Sequence, residues 1–304
     1  MSEEGRTIPV EAIELYNRFI HGEINRRAFL EGCKKFAVIG LSAAAIAEAL
    51  MPNYALGQQI AKNDERIKAE YVTVPSPNGN GSIKGYFVRP FSQDTRDEKP
   101  AKLPGVIVVH ENRGLNPHTE DVARRFALEN FMAFAPDSLT SVGGYPGDDY
   151  KGGLLFAKQD GAKRQQDFLA AAQWLKAHPL CTGQVCATGF CFGGGVANTL
   201  AVQMGADLKA AAPFYGAPTK AEDAPKIKAA ILIHHGGLDK ALSEGYPAQA
   251  AILKNANVTF EGHIYPGAVH GFFNDATPER YNRAAATQAW SRTIEWFNQY
   301  ARGA

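Results

Sequence analysis

The string Gly189-Phe190-Cys191-Phe192-Gly193-Gly194-Gly195 lies between a strand-like run, Val185 to Thr188, and a helix-like, small-residue segment, Val196 to Gln203. A chain that passes from strand to helix in so few residues must bend sharply. The residues two before and two after the apex are then pressed together, so that only glycine-sized side chains fit. Such a bend lifts the apex residue, Cys191, above a sheet and aims the first N–H groups of the helix at the same spot. That positive helix end favours both a thiolate and a developing oxyanion. Glycine makes up 30 of the 304 residues, so this flanking of a cysteine is uncommon by chance, and a tight structural turn is the competing reading. No serine sits in a G-x-S-x-G string.

The rest of the chain alternates strand-like and helix-like segments from about Ala61 onward, the pattern of a mostly parallel sheet covered by helices. Tyr71–Val74 and Ile83–Val88 flank the turn signal Asn78-Gly79-Asn80-Gly81 and predict an opening hairpin. A polar loop from Ser92 to Lys102 leads to Val106-Ile107-Val108-Val109, suited to a central strand buried on both faces. Helices are expected over Glu120–Asn130 and Lys163–His178, and a closing helix carries Trp290, Ile294 and Phe297. Further strands are expected at Phe131–Ala135, Ala210–Phe214, Ala230–His234 and Val258–Tyr265. The Gly-rich stretch Val142 to Gly147 lacks phosphate-loop spacing and reads as a mobile surface loop near the site.

Bulk properties exclude several classes. A formal net charge of +1 without a basic block argues against a nucleic-acid surface or a polybasic membrane patch. Cys33, Cys181, Cys186 and Cys191 are too few for a disulfide scaffold and show no C-x-x-C spacing, and no metal site is expected. Cys186 reads as a core residue. No stretch reaches about 18 uninterrupted apolar residues, so no stable membrane span is expected.

Residues 1–60 form a separate segment with two readings. Asn25-Arg26-Arg27-Ala28-Phe29-Leu30, the apolar run Phe36 to Leu50 and Pro52-Asn53-Tyr54-Ala55 resemble a twin-arginine export leader with a cleavage region, which would place the mature protein in the periplasm. Alternatively, Ile13, Leu15, Tyr16 and Phe19 recur at helical spacing, as in a retained arm of a cytoplasmic protein that packs on the body or on a second copy.

An α/β-hydrolase presents nucleophile, acid and histidine in that chain order, each in a loop after a strand. Here Ala230 to His235 is followed by Gly236-Gly237-Leu238-Asp239, and Gly262 to Tyr265 by Pro266-Gly267-Ala268-Val269-His270. Asp239 and His270 therefore stand where the order wants them. His234, His235 and His263 fall in or beside strands and read as structural.

These strings, together with His110-Glu111-Asn112-Arg113-Gly114-Leu115, Ala135-Pro136-Asp137 and Gly271-Phe272, resemble the dienelactone hydrolase (carboxymethylenebutenolidase) family over residues 71–304. The resemblance implies an α/β-hydrolase domain over residues 61–304 that cleaves an enol-lactone or related activated ester with no cofactor and no metal. It also implies that Glu111 interacts with the cysteine, and that the backbone N–H groups of Phe192 and Asn112 form an oxyanion hole. The family holds a substrate carboxylate with arginines. Asn274 occupies the position four residues beyond His270 where one is expected, and Arg113 or Arg280 could substitute; Tyr145 is a further candidate contact. A broader carboxylesterase, thioesterase or acyl transferase, or a non-catalytic binding protein on the same fold, are the alternatives.

Overall fold

The computed structural model describes residues 8–91 and 101–303. Eight strands, β1 (Ile67–Ser76), β2 (Gly81–Pro90), β3 (Leu103–Val109), β4 (Met132–Asp137), β5 (Cys181–Phe190), β6 (Leu208–Phe214), β7 (Ala230–Gly236) and β8 (Phe260–Tyr265), form one sheet in the order β1-β2-β4-β3-β5-β6-β7-β8. The expected hairpin is present with Ser76 opposite Gly81, and β2 pairs antiparallel with β4. From β4 to β8 every pairing is parallel. Most of the loop expected over Ser92–Lys102 lies outside the described residues.

Four helices precede the sheet: α1 (Val10–Ile20), α2 (Arg26–Cys33), α3 (Ala43–Ala49) and α4 (Tyr54–Gly57). Seven more follow: α5 (Pro117–Leu128), α6 (Asp149–Phe156), α7 (Gly161–Ala177), α8 (Phe192–Met204), α9 (Lys240–Ser243), α10 (Tyr246–Asn255) and α11 (Arg283–Arg302). Helix α5 starts earlier than its apolar periodicity suggests because Asn116 caps it, its Oδ1 accepting the Thr119 N–H, and because Pro117 suits the first turn. The α10 segment carries only Gln249 and Leu253 as buried residues, which is why no apolar stripe announced it.

Residue alternation in β3 divides the core. Val106 and Val108 face the side covered by α5 and α11, with Phe126 and Phe297. Ile107 and Val109 face the side covered by α7 and α8, with Phe168 and Leu200. All four β3 residues are fully buried, each contributing about 1.5–3 kcal/mol of transfer free energy.

A third cluster belongs to the N-terminal segment. Ile8, Ala12, Ile13, Phe29, Cys33, Phe36, Ile46 and Leu50 pack together and onto Val269 of the body, with Leu238 at the margin. The stripe expected on the first helix thus packs on the body of the same chain. Among the described residues no single helix is long and apolar enough to cross a membrane; the pair Arg26–Ile39 and Ala43–Gly57 is so only when its two members, bent by 104°, are counted together.

Candidate active site

Cys191 stands between β5 and α8 with φ 54° and ψ −113°, the left-handed, strained backbone that a strand-to-helix elbow demands. A Cβ on Gly189 would lie 2.3 Å from the Gly193 carbonyl oxygen, and a Cβ on Gly193 2.3 Å from that of Val109, so glycine is obligatory at both. The Cys191 N–H donates to Phe214 O at the end of β6 (3.0 Å), and the Cys191 carbonyl accepts the Gly194 N–H (3.0 Å). The Phe192 N–H lies in the first turn of α8, where N–H groups have no intrahelical partner.

Asp239 and His270 are brought together by the loops after β7 and β8. Gly237 N–H donates to Tyr265 O (2.7 Å) and Leu238 N–H to Ala268 O (2.9 Å), which stitches one loop to the other. His270 Nδ1 consequently sits 2.6 Å from Asp239 Oδ2. Its Nε2 is buried without a hydrogen-bond partner. A ring nitrogen of His270, a ring nitrogen of His21 and the Cys191 Sγ all lie within 4.8 Å of one another. The hydrogen-bond partner of the thiol is His21, whose Nε2 is 3.1 Å from Sγ.

Burial alone pushes the Cys191 thiol up, but the charge of His270 and the hydrogen bond from His21 outweigh it and bring the thiol down to about 6. Burial likewise disfavours a charged His270; the adjacent thiolate and the Asp239 bond overcome that and raise the imidazole to about 10. Cys186, five residues earlier and wholly buried in the sheet, shows the contrast: desolvation there drives the thiol well up.

The remaining candidates divide. Glu111 is buried on the loop after β3, with its carbonyl accepting the Arg113 N–H (2.8 Å). Its carboxylate makes no hydrogen bond to the thiol; His21 holds that place. The neighbouring His110 accepts the Ser138 N–H at Nε2 (3.1 Å), which assigns its proton to Nδ1, directed at the Glu111 carbonyl. Asn112 Nδ2 and Arg113 Nη2 both donate to the Ile20 carbonyl, at 2.7 and 3.1 Å, so these side chains grip the end of α1. Ile20 has one of the last carbonyls of its helix, which need partners from outside the helix. Tyr145 donates its hydroxyl to Asp149 (2.8 Å) and its N–H to Asp137 (2.8 Å), anchoring the Gly-rich stretch. Asn274 is buried with Oδ1 accepting the Ala276 N–H (3.1 Å), a loop-capping arrangement. Arg280 is buried beneath the Tyr16 ring with Nε and Nη1 unpaired. His234 is held by the Tyr265 and Thr293 hydroxyls and His235 by Gln249.

Cys191, Asp239 and His270 open on a cavity of about 610 Å³. One wall is the body, including Phe192, Tyr215 and Leu242; the other is α1, through Val10, Ile13, Asn17 and His21. Sequence reasoning missed two of these. His21 lies 170 residues from its partner thiol; its only local signal is a polar ring just past an amphipathic helix. Tyr215 follows β6 with φ 37°, its hydroxyl is buried and unpaired, and its ring centroid lies 4.9 Å from that of His270.

Comparison with known proteins identifies the family and the fold. The sequence profile described as "Dienelactone hydrolase family" matches residues 92–301. An Escherichia coli K12 protein named "Putative hydrolase fragment YghX" is 54% identical over 120 residues, 40% of this chain and 97% of that one. A "Putative carboxymethylenebutenolidase" of E. coli O157:H7 is 33% identical over 253 residues, 78% of this chain and 89% of that one. The crystal structure described as a putative dienelactone hydrolase from Klebsiella pneumoniae superposes with a TM-score of 0.66 at 28% identity, covering 77% of this chain and 99% of that one. The eight-stranded, mostly parallel sheet is thus that of an α/β-hydrolase, and the chain belongs to the dienelactone hydrolase family.

Proposed function

We propose that this carboxylic ester hydrolase cleaves an activated ester or enol-lactone with Cys191 as nucleophile, His270 as acid and base, and Asp239 as the carboxylate orienting the imidazole. One observation carries the reading: the strained elbow thiol stands within 4.8 Å of a ring nitrogen of an imidazole whose other nitrogen lies 2.6 Å from a carboxylate, an arrangement that brings the thiol down to about 6 and, through the thiolate and then Asp239, the imidazole up to about 10. At neutral pH such a pair rests as thiolate and imidazolium, so no proton needs to move before attack. The Sγ lone pair attacks the acyl carbon. The N–H groups of Phe192 and Asn112 receive the oxyanion, each such donor contributing about 3 kcal/mol of barrier lowering. Collapse expels the alkoxide or enolate, which takes the proton of His270, and leaves a thioacyl-enzyme. Neutral His270 then removes a proton from water, hydroxide equivalent adds to the thioester, and thiolate departs as the carboxylic acid forms. Thiolate is a good leaving group, so the tetrahedral species returns to substrate unless the substrate's own leaving group is good; enolates and aryl oxides qualify and amines do not.

In this reading His21 donates to the resting thiolate. The apolar cavity wall of Val10, Ile13, Leu242 and Val269 favours an uncharged acyl group, which supports a carboxylesterase of broader range as the second reading.

The test is an aryl ester and lactone panel run with the wild type and Cys191→Ala, with the intact protein weighed after rapid quench. A mass increment of one acyl group on the Cys191 peptide and loss of turnover in the variant are expected. Equal turnover in the variant removes the nucleophile and the mechanism with it.

A further inference from the structure

Three metal-ligating atoms from three separate parts of the chain line the cavity. His21 comes from the end of α1, Cys191 from the elbow and His270 from the loop after β8. We propose that they form a transition-metal site that takes a borderline-soft divalent ion such as Zn2+ in competition with the ester. The sequence reading anticipated no metal because no spacing pattern joins residues so far apart; the third ligand becomes visible only when α1 is folded onto the site.

The chemistry of the donors supports it. One thiolate and two imidazoles are the set that Zn2+ prefers, and three protein ligands leave a fourth position open to water. Around a tetrahedral ion with bonds of about 2.0–2.3 Å the donors stand about 3.5 Å apart. His21 Nε2 and Sγ are 3.1 Å apart and the widest of the three separations is within 4.8 Å, so small side-chain rotations suffice. His270 Nε2 is buried, faces this spot and has no hydrogen-bond partner. Its other nitrogen already bonds the Asp239 carboxylate, the outer-shell arrangement that fixes the tautomer and strengthens a histidine ligand. On binding, the thiolate Sγ takes the ion in place of its hydrogen bonds, the His270 imidazolium releases its Nε2 proton to solvent, and His21 frees its Nε2 lone pair by carrying its proton on Nδ1. The ion then sits on the sulfur lone pair that attacks the ester, so loading silences hydrolysis and a chelator restores it.

The site shares Cys191 and His270 with the proposed hydrolase mechanism, but its test does not depend on turnover. The full-length chain, stripped with a chelator, is titrated with Zn2+ against a chromophoric competitor, and with Co2+ to record the thiolate-to-metal charge-transfer band. One ion per chain and a thiolate band are expected. Because His21 is exposed, His21→Ala keeps the fold, verified by circular dichroism, and binds at least about tenfold more weakly; Asp239→Asn weakens binding about 10–100-fold. Cys191→Ser loses the cobalt band. Equal Zn2+ affinity in wild type and His21→Ala, or an unchanged cobalt spectrum in Cys191→Ser, overturns the site. A chain that binds Zn2+ yet turns over no ester leaves the site standing and removes the hydrolase mechanism; the reverse result does the opposite.

Discussion

Replacing His21 by alanine tests how the thiol is kept charged. An ordinary thiol of 9.0 held at about 6 corresponds to about 4 kcal/mol in favour of the thiolate. That preference arises against burial and comes from the charge of His270 and the 3.1 Å contact with His21. A hydrogen bond to a charged group contributes about 1.5–3 kcal/mol, so losing it moves the thiol up by about 1–2 pH units, to a midpoint of about 7–8. The sign is fixed: the acid form is neutral, so removing a stabiliser of the anion raises the pKa. The assay is the rate of Cys191 alkylation by iodoacetamide between pH 4 and 10, resolved by peptide mass because Cys33, Cys181 and Cys186 are also free thiols. In the wild type the rate rises through about pH 6. In His21→Ala it falls about three- to twenty-fivefold at pH 6.5 and recovers to within about twofold at pH 9. Ester turnover follows the same lower limb and declines again as His270 loses its proton near about pH 10. An alkylation midpoint that stays at about 6 in the variant refutes the role given to His21.

Two further outcomes follow from packing. Gly193→Ala places a methyl group 2.3 Å from the Val109 carbonyl and 2.7 Å from that of His110, forcing the elbow away from the loop that carries Asn112; thermal unfolding should show a loss of about 1–3 kcal/mol or more, with ester turnover falling more steeply than stability. Arg280→Met removes a buried guanidinium with two unpaired nitrogens, each unsatisfied group carrying about 1–3 kcal/mol of desolvation cost; an unchanged or higher unfolding free energy is expected, and a fall above about 2 kcal/mol shows that the Tyr16 ring above it outweighs that cost.

The parts that could be read in advance were those encoded locally. The elbow was legible because a strained strand-to-helix bend admits only glycine at its flanks, and Asp239 and His270 because each follows a strand in a fixed chain order. The sheet was legible from runs such as Val106–Val109, although strand ends ran longer: β5 extends over Cys181–Phe190 because Thr182 to Gln184 stay on the partly exposed edge of the element. Arg113 and Tyr145 looked available to a substrate because sequence shows charge and hydroxyl but not what already binds them. Arg113 serves a helix-end carbonyl and Tyr145 serves Asp149. Nothing local links His21 to Cys191, so tertiary docking alone revealed it.

That docking has a consequence for the N-terminal segment, whose twin-arginine-like residues Arg26 and Arg27 are exposed at the start of α2. Most of its apolar contacts are internal to its own cluster. Its hydrogen bonds to the body gather at two places. At the base, the Gln59 and Ile60 N–H groups bond Asp121, and the Tyr54 hydroxyl bonds Asp149. At the tip, the Ile20 carbonyl is held by Asn112 and Arg113, and His21 by the thiol. Cleavage near Ala55 would therefore remove a cavity wall and the thiol's hydrogen-bond partner together while uncovering Val269 beside His270. Conversely, any ligand that uses His21 binds only the docked arm and stabilises it by RT ln(1 + L/Kd), where L is the free ligand concentration. Docking and site occupancy are then linked in both directions, so the protease resistance of residues 22–52 should rise when the site is filled, and a filled site that leaves digestion of that segment unchanged would show that the arm and the chemistry are independent.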